Sequence, residues 1–161
     1  MSGIGNGAEV AVEHGLAVLA PRFREAVEQA IALAHARDLN ARVYESYRSA
    51  ELQTVYYARG RTVIPPSGIV TNARSNLSSW HGFGLAVDVV HATKGWDVSD
   101  EWFARLAQCF RETGCRWGGE WKMKDLPHFQ WGLCKPSPSD RARALFSAGG
   151  MPAVWAAVGA A

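Results

Sequence analysis

The chain has 161 residues, 48% of them apolar and 20% charged, which describes one globular domain able to bury a core of its own. A formal net charge of +2, with no run of five or more Lys or Arg, gives no electrostatic footing for nucleic-acid binding. Three cysteines, Cys109, Cys115 and Cys134, are odd in number and widely spaced, so they read as reduced, buried thiols and not as a disulfide framework or a paired-cysteine zinc site.

Residues 1–9 lack a basic start followed by an apolar run, so no secretory signal is expected, and residues 1–15 read as a loose lead-in. Pro21 opens a helix to about residue 36, with Phe23, Val27, Ala30, Ile31 and Ala34 on one face. Residues 42–47, rich in Val and Tyr, form a strand. Ser49 caps a second helix that runs to about Arg59 and stops at Gly60. Residues 61–80, with Pro65-Pro66, Gly68 and a Ser/Asn-rich run, make an irregular loop of the kind that is either functional or disordered. A strand follows at 85–91. Ser99 or Asp100 then caps a helix to Thr113, with Phe103, Leu106 and Phe110 inward. Short extended segments lie near 116–117 and 128–131, and two short helices near 140–147 and 152–158. The apolar stretch 151–161 is too short to span a bilayer, and no stable membrane insertion is expected. Helices and strands mix without regular alternation, which predicts an α+β domain with a small, largely antiparallel sheet.

The stretch Ser79-Trp80-His81-Gly82-Phe83-Gly84-Leu85-Ala86-Val87-Asp88 offers an imidazole and a carboxylate, a good zinc set. Fully extended, their seven-residue separation reaches roughly 23 Å, too far for one ion. The chain must fold back between them, and Gly82 and Gly84 permit the turn. In Asp125-Leu126-Pro127-His128-Phe129-Gln130-Trp131, Pro127 keeps Leu126 out of helical geometry. His128 and Gln130 then face one way, Phe129 and Trp131 the core. Alone, the first stretch reads equally well as structure, a glycine turn with a capping His and a paired Asp, and the second reads better as structure, a core-edge His beside a surface Asp. Together, two His and one Asp make three ligands, the number that leaves a catalytic zinc an open position. Such a zinc lowers the pKa of its water from about 15.7 to about 7. Asp125 is placed to take a proton from that water. Arg48, at a strand-to-helix junction, can aim a guanidinium into a cleft, although a lone Arg reads far more readily as a solvated charge.

In this order, Tyr47-Arg48-Ser49 with Gln53, Ser79-x-His81-x-x-Gly84-x-Ala86-x-Asp88 and Asp125-x-Pro127-His128 resemble the D-alanyl-D-alanine metallopeptidase family. The chain is most similar to its phage endolysin branch, the L-alanyl-D-glutamate endopeptidases, through Tyr57-Ala-Arg-Gly-Arg-Thr62, Val70-Thr-Asn-Ala73, Trp117-Gly-Gly-Glu-Trp121 and Gly149-Gly-Met-Pro-Ala-Val-Trp155. The resemblance spans roughly residues 16–155. It implies a hedgehog-type α+β fold with a small central antiparallel sheet flanked by helices, as a single zinc peptidase domain over 1–161 without a wall-binding module. It implies one Zn2+ per chain on His81, Asp88 and His128, with Asp125 as general base and Arg48 stabilising the intermediate. Gln53, Ser79 and Tyr47 fall at substrate-side positions. Glu120 stands where the branch often has Asp, and Gln130 where it often has Glu. The implied function is endolysin cleavage of the L-Ala–D-Glu bond in peptidoglycan stem peptides. The expected setting is a monomer made in the host bacterial cytoplasm, reaching the wall through a holin-like membrane-permeabilising partner. The alternatives are a D-alanyl-D-alanine carboxypeptidase or dipeptidase on the same metal site, and a non-catalytic wall-binding module of the same fold.

Overall fold

A computed structural model of the protein describes residues 10–63 and 68–161; the predicted lead-in over 1–9 and the Pro65-Pro66 part of the loop lie outside the described residues. Its helices are α1 (Pro21–Ala36), α2 (Ala50–Ala58), α3 (Asp100–Glu112) and α4 (Asp140–Ala157). Its strands are β1 (Ala41–Glu45), β2 (Ala86–His91), β3 (Cys115–Trp117) and β4 (His128–Trp131). They form one four-stranded sheet in the order β1-β2-β4-β3, with every neighbouring pair antiparallel. This is the α+β architecture expected.

The helices start where the caps predict. Ser49 and Ser99 accept hydrogen bonds from Leu52 N and Trp102 N, and Pro21 occupies the first turn of α1. Helices α1 and α3 cover one face of the sheet. Phe23, Val27 and Ala30 from α1 and Leu106 and Phe110 from α3 are buried in one cluster with Val87, Val89 and Phe129, and Phe103 is also buried. The Phe110 and Phe129 rings stack with centroids 4.1 Å apart. Helix α4 carries the two predicted C-terminal helices, bent at Gly150, whose φ of 70° and ψ of −167° are not helical.

The first strand ends earlier than predicted. Residues 46–48 leave the sheet because other partners take their backbones: Ser46 N donates to Glu13 O, and Arg48 N to His81 O at 3.0 Å. The register also slips between Val43 and Glu45, a bulge that turns Glu45 toward the face opposite α1 and α3.

Candidate functional site

The opposite face of the sheet carries the polar side chains. Asp88 pairs with His128 across β2 and β4, and with Glu45 across β1 and β2. Adjacent strands lie about 4.8 Å apart, so three of them set Glu45, Asp88 and His128 in one row. His81 joins from a short 3-10 turn, Trp80–Phe83. Gly84 ends that turn with φ 69°, and a Cβ there would meet Val18 O at 2.7 Å. Gly82 lies against the Asn76 carbonyl, leaving no room for a side chain. The fold-back that seven intervening positions required is therefore made by these two glycines. His81 Nε2 comes to 3.2 Å from Asp88 Oδ1, and His128 Nδ1 to 3.7 Å from the same oxygen. One ligand atom from each of the three residues lies within 4.8 Å of the others.

The surrounding hydrogen bonds fix which imidazole nitrogen faces inward. His81 Nδ1 is 2.9 Å from Ser46 O, a carbonyl that can only accept, so Nδ1 carries the hydrogen and Nε2 turns its lone pair to Asp88. Gln130 Nε2 donates to Lys135 O at 2.7 Å, which directs its Oε1 to His128 Nε2 at 2.8 Å. His128 Nε2 thus carries the hydrogen, and Nδ1 offers its lone pair. Two lone pairs and a carboxylate oxygen converge, and only a proton or a cation can be shared among them. Zinc bonds of about 2.0–2.2 Å give tetrahedral edges of roughly 3.4 Å, close to the 3.2 and 3.7 Å found. The donor set, its geometry and its outer hydrogen bonds fit zinc. Gln130, where the resembled branch often has Glu, serves as a neutral orienting group that is 1% exposed.

Electrostatics separates the two aspartates. Burial alone would raise the Asp88 carboxyl, but His81 and His128 outweigh it and hold the pKa well below the usual range. Burial likewise opposes charge on His128, and Asp88 overrides it, so its pKa is raised. Asp125 moves the other way. Its place deep in the cleft, and then the nearby Asp88 charge, raise its pKa, although about half of its side-chain surface meets solvent. Asp125 Oδ2 is 4.0 Å from His128 Nδ1. It is held there by a turn in which Asp125 N donates to Gly118 O and His128 N to Asp125 O. A carboxylate that resists ionisation beside a metal set suits a group that must take a proton and return it.

A cleft of about 430 Å³ opens over the row, lined by Arg48, Ser79, His81, Asp88, Asp125 and His128 among others. Arg48 is buried on its wall. Its Nε and Nη2 donate to Glu45 Oε1 at 3.1 and 2.5 Å, and Nη1 to Gln53 Oε1 at 3.0 Å. Its Nη2 also lies 3.9 Å from Asp88 Oδ2. Gln53 is fully buried behind Arg48 and donates to Ala73 O at 2.6 Å, so it braces the arginine and the following loop and stands away from the cleft lining. Tyr47 is half-buried and is also not among the cleft-lining residues. Ser79 lines the cleft and accepts from His81 N at 3.3 Å. Trp121 flanks the centre, its ring 4.8 Å from that of His128. Sequence reasoning did not find Glu45, Tyr56 or Arg59 in the site. Tyr56 donates its hydroxyl to Glu45 Oε2 at 3.2 Å and lies under the Arg48 guanidinium. Glu45 had one signal, an acid two residues past an apolar strand position and three before the arginine.

The family profile described as D-alanyl-D-alanine carboxypeptidase matches residues 72–131, the segment that contains His81, Asp88, Asp125 and His128. An L-Ala D-Glu endopeptidase from Serratia marcescens, ChiX, is similar in structure, with a TM-score of 0.54 and 25% sequence identity over 79% of this chain and 94% of that one. A vancomycin-resistance D,D-pentapeptidase, VanY from a VanB-type cassette, in a variant form complexed with Zn(II), shares the fold with a TM-score of 0.52 and 15% identity over 91% of both chains. No curated protein sequence matches the chain. Among the described residues, no helix is long and apolar enough to cross a membrane.

Proposed function

We infer that this chain, a peptidase of the D-alanyl-D-alanine metallopeptidase family, is a zinc endopeptidase that hydrolyses the L-Ala–D-Glu bond of peptidoglycan stem peptides. One observation carries the reading: two imidazole lone pairs and the Asp88 carboxylate converge beside Asp125, in a cleft whose wall holds a buried arginine. Zinc held by His81, Asp88 and His128 supplies Lewis acidity at neutral pH. Asp125 takes a proton from the attacking water and passes it to the leaving amine. Arg48, with Glu45 and Gln53 fixing three of its donors, turns its remaining N–H groups to the oxyanion. Ser79 borders the substrate path, while Gln53 and Tyr47 act from behind the wall. The choice of bond rests on the endolysin-branch motifs and on the likeness to ChiX. Those motifs also support a lytic role in which one domain reaches the wall after a partner opens the membrane.

Mass spectrometry of purified peptidoglycan digested with and without chelator tests this. The expected products begin with a new D-Glu amino terminus and vanish with chelator. Release of free D-Ala with the L-Ala–D-Glu bond intact makes the chain a D,D-carboxypeptidase, the activity that describes its matched family.

A further inference from the structure

Arg59 caps the C-terminal end of α2, and its half-buried side chain lines the cleft that holds Asp88, Asp125 and His128. Its guanidinium carbon lies 5.0 Å from the centre of the Tyr56 ring, and that of Arg48 lies 4.8 Å from the same centre. One tyrosine thus orients two cations, but the two are engaged differently. Arg48 is neutralised by Glu45. Among the described residues Arg59 forms no ion pair, and the Tyr56 hydroxyl is committed to Glu45. An arginine stacked in place, facing a cleft and lacking a counter-ion is a receptor for an anionic ligand group.

We propose that Arg59 binds the free α-carboxylate of the D-residue on the leaving side of the scissile bond. This rests on the peptidase reading above and names what selects its substrate. In a stem peptide, D-Glu continues through its γ-carboxyl, so its α-carboxylate stays free. That carboxylate is three bonds from the scissile carbonyl carbon, at most about 4.3 Å along the chain. Arg48 and Arg59 line the same cleft and stack on the same tyrosine, so a substrate whose carbonyl oxygen meets Arg48 has the second cation as the neighbouring receptor for this anion. A C-terminal D-Ala presents its carboxylate at the same bond distance, so the chemistry is shared and experiment separates the sources.

The zinc-loaded full chain is assayed on paired substrates: a MurNAc-tripeptide with D-Glu and its twin with D-isoglutamine, and a D-Ala–D-Ala pentapeptide with its C-terminal amide. The D-Glu substrate is expected to exceed its amide twin in kcat/KM by roughly tenfold to a hundredfold, chiefly through KM. Arg59→Gln removes that preference and Arg59→Lys restores part of it. If only the D-Ala pair is cleaved, with the acid preference and its loss in Arg59→Gln, the carboxylate receptor stands and the L-Ala–D-Glu reading falls. If L-Ala–D-Glu is cut equally well in acid and amide, the endopeptidase stands and the receptor is overturned. Equal cleavage within both pairs, or cleavage of neither, overturns the receptor as well. Should Arg59→Gln fail to fold, the wild-type comparison of acid with amide still decides.

Discussion

Asp125 and Arg48 face the cleft in opposite states. The Asp125 side chain is about half exposed, with its carboxylate 4.0 Å from His128, whereas Arg48 is buried and bound through three of its nitrogens. Losing the Asp125 carboxylate should therefore cost rate and little else. Asp125→Asn is expected to lower kcat by about 10²–10⁴-fold, with zinc affinity, read by competition with a chromogenic chelator, held within a few-fold. A comparable loss of zinc affinity would make Asp125 a ligand and not a base. Glu45 is the reverse case. It is 1% exposed and is the counter-ion of a buried guanidinium. Removing one partner of a buried pair strands the other charge, so Glu45→Gln should destabilise the fold by about 3 kcal/mol. In a domain of this size that is a fall of roughly 6–12 °C in Tm. The cysteines give a pH test. Burial pushes the Cys115 and Cys134 thiols up to about 12 from the ordinary value of 9.0. A raised acid pKa favours the neutral thiol in the folded state. Their contribution is thus full below pH 9 and is lost as pH climbs toward 12. Native protein at pH 8 should resist iodoacetamide, and denatured protein should take up three equivalents. Rapid labelling of native Cys115 would contradict its burial.

At the scale of elements, the local signals were legible and the lateral ones were not. The caps at Ser49 and Ser99, the proline at the start of α1 and the apolar stripes of α1 and α3 need only residues within one or two turns, and the structure follows them. The three proposed ligands also showed in the sequence, because a glycine-broken His-to-Asp spacing and an extended Pro-His are local patterns. The end of β1, the bulge before Glu45 and the burial of Gln53 did not show. Each is set by a partner far along the chain: Glu13 for Ser46, His81 for Arg48, Ala73 for Gln53. Substrate-side positions taken from a linear motif cannot distinguish a side chain that lines a cleft from one that braces the wall behind it. The turn before β2 allows a direct test of the element that delivers His81. Gly84 combines a positive φ with a 2.7 Å approach to Val18 O. Gly84→Ala meets both strain and contact and should destabilise by about 1–3 kcal/mol. If the turn moves instead of the whole fold, zinc affinity falls while far-UV circular dichroism is unchanged. Neither change would mean that the turn is not set by this glycine.

For the whole molecule, the sheet divides stability from chemistry. One face carries the core, with Phe23, Val27, Phe110 and Phe129 fully buried, and the other carries the row of Glu45, Asp88 and His128. The core does not need the metal to form, so stripped protein should remain folded and unfold cooperatively. A metal held by His81, Asp88 and His128 would nevertheless join β2, β4 and the turn Trp80–Phe83. An ion that binds only the folded state adds about 2.7 kcal/mol at a hundred times its Kd and about 4.1 at a thousand times. Saturating zinc should then raise Tm by roughly 5–15 °C. The gain should be spread unevenly. Helices α1 and α3 pack on the far face, whereas the turn holds His81 between the buried Trp80 and Phe83, with backbone bonds from Arg48 N to His81 O and Ala20 N to Gly84 O. Hydrogen exchange on removal of zinc should quicken first at residues 80–84 and leave α3 protected. His81→Ala breaks the same link chemically, so it should abolish the zinc-dependent rise in Tm without unfolding the metal-free chain. A His81→Ala protein that still gains the full increment from zinc would place the ion elsewhere and sever the cleft from the chemistry assigned to it.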